Sequence, residues 1–143
     1  MFIKQLSIFV ENKSGKIADI LNVLGENNID ISALSIADTT DFGIVRLIVN
    51  DVERAASVLR EYGAVVKVTD VIGVSVDDTP GGLARVLNIL KDAEIELDYI
   101  YAFVGRSGKN ASVVMKTDNT DKTLRCLEDA GINTITSSDV YGD

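Results

Sequence analysis

The sequence predicts an α+β protein made of two small βαββαβ units whose antiparallel sheets pack side by side. Three observations carry that prediction. The first is a repeat: Val10–Ile29 returns as Val76–Ile95, so that Gly15, Ala18, Leu21, Asn22 and Leu24 reappear 66 positions later as Gly81, Ala84, Leu87, Asn88 and Leu90. Self-similarity at a fixed period marks a duplicated supersecondary unit. The second is that each copy alternates segments of strand period with segments of helix period. The third is a glycine turn placed directly before the first helix of each copy.

In the first copy, Leu6, Ile8 and Val10 alternate with polar residues over Lys4–Val10, the pattern of a half-buried strand. Glu11–Gly15 is a turn. Ile17, Ile20, Leu21 and Leu24 then fall at helical spacing and form one apolar stripe, with Gly25 and Asn27-Asn28 as the stop. Ile29–Ala37 reads as a second strand, bulged where the alternation skips a residue. Thr39–Gly43 turns into a third strand, Ile44–Val49. A helix from Val52 to Tyr62 ends at Gly63, and Val65–Thr69 is the fourth strand.

The second copy repeats the order. Strand Val71–Val76 leads through the turn Asp77–Gly82 into a helix with Leu83, Val86, Leu87 and Leu90 on one face. Strand Leu97–Val104, the turn Gly105–Asn110 and strand Ala111–Lys116 follow. A helix over Asp118–Ala130 stops at Gly131, and Thr134–Ser137 is a short last strand. Each copy is thus a split βαβ, or ferredoxin-like, unit with both helices on one face of the sheet. The domains are 1–69 and 70–143, joined directly at Thr69-Asp70. Units this small are marginal alone, so the copies are expected to pack together.

Composition narrows the function. The 143 residues carry a formal charge of −8, which disfavours nucleic acid and anionic membranes, both of which call for a basic surface. No apolar run approaches the ~18 residues of a membrane span, and Met1–Val10, interrupted by Lys4, Gln5 and Ser7, reads as a strand and not a signal peptide. The single cysteine, Cys126, has no partner for an internal disulfide, which fits the cytoplasm. There is no histidine, so the commonest acid–base group and metal ligand is missing. No metal site, no cofactor and no catalytic residues are expected. Cys126 reads as packing, Tyr99-Ile100-Tyr101 with Phe103 as a core or interface cluster, and Arg106–Lys109 as a hairpin tip.

The turns before the two first helices are the strongest local signal: Asn12-Lys13-Ser14-Gly15-Lys16 and Asp78-Thr79-Pro80-Gly81-Gly82. Glycine lets backbone approach a ligand closely, and the free N–H groups at a helix start favour an anion. The simpler alternative is that Asp78, Thr79 and Pro80 only cap their helix.

These turns, with Asn28-Ile29-Asp30-Ile31 in the first copy and Glu94-Ile95-Glu96-Leu97 in the second, resemble the ACT domain family over nearly the whole chain. The second turn is close to the family's D-x-P-G-x-L/V opening; Ser14 in place of proline makes the first less typical. The resemblance implies a tandem ACT protein that binds a small molecule, most often an amino acid, in clefts between units. The clefts lie against the first-helix turn of one unit and the second strand of another. An α-carboxylate would meet backbone at Gly15, Lys16 and Ile17 or at Gly81, Gly82 and Leu83. An α-ammonium would meet Asn12, Asp30, Asp78 or Glu96, with Ser32, Ala33 and Leu34 or Asp98, Tyr99 and Ile100 lining the side-chain pocket. Asp30 and Glu96 stand where the family often carries Asn, which suggests binding through the ammonium group, a basic ligand, or degenerate clefts. The resemblance further implies a free amino acid as ligand, a homodimer, and an enzyme of amino-acid metabolism as partner. A ligand-free subunit docking on such an enzyme is the alternative. Of the two clefts, the one at Asp78–Gly82 is the one expected to be occupied.

Overall fold

The computed structural model describes residues 2–11, 15–38, 42–103, 110–136 and 139. Its elements run β1 (Ile3–Glu11), α1 (Lys16–Glu26), β2 (Ile31–Asp38), β3 (Phe42–Val49), α2 (Val52–Tyr62), β4 (Val65–Asp77), α3 (Gly82–Asp92), β5 (Leu97–Ala102), β6 (Asn110–Thr117), α4 (Thr120–Asp129) and β7 (Asn133–Ile135). The two βαββαβ units expected from the repeat are present, with one difference. The last strand of the first copy and the first strand of the second are one continuous strand, β4. The run VVKVTDVIGVSV holds no proline and many β-branched residues, so nothing in it breaks an extended chain.

The chain divides into two compact units, Lys4–Thr69 and a second made of Asp70 onward together with the first three residues. Phe2 packs against the second core, and Ile3 is buried.

In the first unit β3 lies between β2 and β1, both antiparallel to it. Leu6, Ile8 and Val10 of β1 and Val45, Leu47 and Val49 of β3 meet Ile20 and Leu24 of α1 and Ala55, Ala56 and Leu59 of α2 in one core. The alternation that predicted a half-buried β1 is only part of the picture, since Gln5 and Ser7 are buried as well. Their polar atoms satisfy each other, Gln5 Nε2 donating to Ser7 Oγ at 3.2 Å, which makes the burial tolerable. The second unit repeats the plan in the order β5-β6-β4-β7. Ile72, Val74 and Val76, Val113 and Met115, Val86 and Leu90, and Leu127 and Ile132 form its core. Cys126 is half-buried at its margin.

The bulge read from β2 is there, and it recurs. The register shifts between Ile31 and Ala33 in β2 and between Leu97 and Tyr99 in β5. Both strands lie at an end of the strand order, where bulges are commonest. Each is anchored in the same way just before it starts. Asp30 N–H donates to Asn50 Oδ1 (3.0 Å) while its carbonyl accepts from Asn50 N–H (3.2 Å). Glu96 and Asp118 repeat this pair at 3.3 and 3.1 Å.

The helix exits also match. Asn28 (φ 61°) and Glu94 (φ 59°) take the left-handed conformation after α1 and α3. Asparagine takes that conformation at less cost than glutamate. Glu94→Gly is therefore expected to raise the free energy of unfolding by about 1 kcal/mol, read as a higher urea midpoint at unchanged slope.

Candidate functional site

Among the described residues, helices α1 to α4 begin in two ways. The second helix of each unit is capped by a side chain: Asp51 accepts from Arg54 N–H at 3.1 Å, and Asn119 accepts from Lys122 N–H at 3.0 Å. The first helix of each unit has no side-chain cap among the described residues. Each is entered instead through a left-handed glycine, Gly15 (φ 85°) and Gly81 (φ 87°), a conformation that costs glycine nothing. Of the capping expected from Asp78, Thr79 and Pro80 only a backbone bond is made, Thr79 O accepting from Gly82 N–H; all three residues are exposed on the turn. Both helices present the positive end of their dipole at these glycine turns.

The two turns differ in detail. In the second, Gly82 N–H donates to Thr79 O at 3.0 Å, and the carbonyl of Asp77 lies so near Gly82 that a Cβ there would overlap it. In the first, the matching position is Lys16, half-exposed, followed by half-buried Ile17. Asn12 and Ser14 lie outside the described residues. Leu83, assigned to the apolar stripe of its helix, is instead 38% exposed, because the stripe of an 11-residue helix meets the sheet only from Val86 onward.

The residues expected around the ammonium and side chain lie elsewhere. Glu11 pairs with Phe42 at one end of β3, and Ile31 pairs with Val49 at the other. Seven residues of strand span about 23 Å, so Asp30 and the Gly15 turn stand at opposite ends of one sheet. The second unit has the same separation, with Asp77 beside Asn110 and Leu97 beside Thr117. No single unit can bring both halves of the expected site to one small ligand. Asp30 and Glu96, just before the edge strands, and Asp98 on β5 are exposed, and Ser32 on β2 is half-buried. Ala33 is buried, while Leu34 and Ile100 pack against their own cores. Asp98 faces Lys116 across the strand pair at 3.9 Å. Tyr99 and Tyr101 stack with centroids 6.4 Å apart.

Beside the first turn the chain forms a hollow of about 770 Å³. It is lined by Phe9, Val10, Ile20, Phe42, Ile44, Tyr62 and Val65, with Glu11 and Lys16 as its charged groups. Residue-type spacing did not point to it. The signal was in the register: Phe9 stands opposite Ile44, and Phe42 opposite Glu11, which places three apolar residues together away from the helices. Among the described residues, no three Cys, Asp or Glu are placed to hold a metal ion, and no helix is long and apolar enough to cross a membrane.

Comparison with known proteins agrees with this architecture. The sequence profile of a family described as an ACT domain pair matches residues 1–141. A solved structure of a protein from Bacteroides thetaiotaomicron is 40% identical, superposes with a TM-score of 0.91, and is matched over 99% of this chain and 96% of its own. The regulatory subunit of aspartate kinase from Thermus thermophilus, solved in a ligand-free form, is 15% identical with a TM-score of 0.65, over 89% of this chain and 91% of its own. Its counterpart from Thermus flavus is 16% identical with a TM-score of 0.60, over 90% and 92%. These two share the fold. No curated protein matches the chain.

Proposed function

The chain belongs to the ACT domain family, and on that premise we propose that it is a non-catalytic regulatory protein that binds a free amino acid. The observation that carries this reading is the contrast between helix starts: α2 and α4 are closed by side-chain caps, whereas α1 and α3 are entered through left-handed glycines with no side-chain cap among the described residues. Two helix starts of the same backbone form, repeated in both copies, suit the carboxylate of an amino acid.

The separation of the Gly15 turn from Asp30 within one sheet adds a condition. A ligand held at a helix start takes its ammonium partner from another edge strand, that of the other unit or of a second copy of the chain. Asp30 and Glu96 lead into the two edge strands and offer exposed carboxylates for that bond. On this reading the protein is a cytoplasmic homodimer. Ligand binding changes its affinity for an enzyme of amino-acid metabolism, which requires that the ligand prefer one of two states.

A thermal-shift screen of the twenty amino acids tests the proposal. At 100 times its Kd a specific ligand adds about 2.7 kcal/mol to stability, a shift of several degrees in a chain this size. Unchanged melting with all twenty would defeat it.

A further inference from the structure

The hollow beside the first turn has a counterpart in the second unit, and the two have diverged. Their equivalence rests on hydrogen bonds as well as on the repeat. Ala64 N–H donates to Leu59 O at 2.9 Å behind Gly63, and Ile132 N–H donates to Leu127 O at 2.9 Å behind Gly131. Each hollow lies between the end of its unit's first strand, the first turn of its first helix, and this exit from its second helix.

Four of the replacements between them change size or polarity most. Phe9 in the first unit stands where the second has Ser75, Lys16 where it has Gly82, Ala64 where it has Ile132, and Val65 where it has Asn133. Ile132 is buried in its core, so its side chain takes up space that Ala64 leaves open. The second hollow is accordingly about 150 Å³, with Asp77, Arg85 and Asn133 on its walls, against about 770 Å³ in the first. Small-molecule sites fall in a range of roughly 300–1,000 Å³, are mostly apolar, and carry few polar groups. Only the first hollow has that character.

We propose that the first unit's hollow binds a carboxylate with a bulky apolar body, so that among amino acids the aromatic and large branched ones are its class. Phe42 is 52% exposed, Tyr62 48% and Val65 65%, an unusual amount of apolar surface gathered at one place. A ligand's apolar body would cover it. Lys16, which lines the hollow, is the cation for the carboxylate, next to the left-handed glycine that opens α1. The hollow lies wholly within Lys4–Thr69. This proposal rests on the amino-acid reading only for the biological identity of the ligand.

The test is calorimetric titration of the full chain with L-phenylalanine, L-aspartate and 3-phenylpropionate, which is phenylalanine without its ammonium group. Phenylalanine and 3-phenylpropionate are expected to bind, aspartate not at this site. Val65→Asp and Lys16→Glu, both off the core, are each expected to weaken binding at least tenfold, and Asn133→Asp in the second hollow to leave it unchanged. Binding of 3-phenylpropionate alone, sensitive to both variants, would uphold the hollow while the amino-acid reading failed. Binding of aspartate alone would overturn the hollow while that reading stood. The proposal also falls if neither aromatic ligand binds, or if both bind Val65→Asp and Lys16→Glu as tightly as the parent. Should Val65→Asp not fold, Lys16→Glu decides.

Discussion

Gly82→Ala is expected to destabilise the protein by about 3 kcal/mol, one of the largest effects of any single methyl group in this chain. The added Cβ would meet Asp77 at its carbonyl oxygen, with the carbonyl carbon at 3.1 Å and Cα at 3.6 Å. All three atoms are backbone, so no side-chain rotation relieves the overlap. The turn must open, and opening it strains the Gly82 N–H bond to Thr79 O. Lys16 carries a Cβ at the matching position of the first copy, so Lys16→Ala serves as the control and should change stability by no more than about 0.5 kcal/mol. Urea titration of the two variants gives the comparison. Equal midpoints would show that the second turn is not held closed by this contact.

Leu24→Ala is expected to cost a further kind of stability, about 3 kcal/mol through a cavity in the first core. Leu24 is fully buried, and it sits where α1 crosses the sheet among Leu6, Leu47 and Leu59. Its carbonyl also accepts from Asn27 N–H and Ile29 N–H at the helix exit, so the helix end has little freedom to collapse into the gap. Leu83→Ala, on the equivalent helix of the second unit but 38% exposed, should fall within about 0.5 kcal/mol of the parent. If the two leucines cost the same, the assignment of core and surface along these helices is wrong.

The contrast between Leu24 and Leu83 shows how far the sequence carried. Periodicity placed both on an apolar stripe, and the stripe is real, but where along it the helix meets the sheet is a tertiary matter. The repeat, the strand and helix order and the bulge in β2 were all legible because each is a local pattern. The continuity of β4 was not, since a strand that ends one copy and a strand that begins the next look like two when the copies are read one at a time. The glycine-entered helix starts were half legible: the glycines pointed to them, yet Asp78, Thr79 and Pro80 also offered side-chain capping, of which the structure uses only the Thr79 carbonyl. The hollow was not legible, because Phe9, Phe42, Tyr62 and Val65 are scattered in sequence and converge only through the β1–β3 register and the exit of α2. Beside the expectation that Asp78–Gly82 holds the ligand stands a proposal centred on the first unit, where the larger hollow lies.

The central claim is that the open starts of the first helices receive an amino acid. Amide chemical-shift mapping of uniformly ¹⁵N-labelled protein against the amino acid that gives the largest thermal shift tests it most directly. The account predicts that the largest, saturable changes include the amides of Gly15, Lys16 and Ile17, with those of Asn119–Lys122 at the capped start of α4 unmoved. Saturable changes confined to the capped helix starts, or none with any of the twenty amino acids, would contradict it.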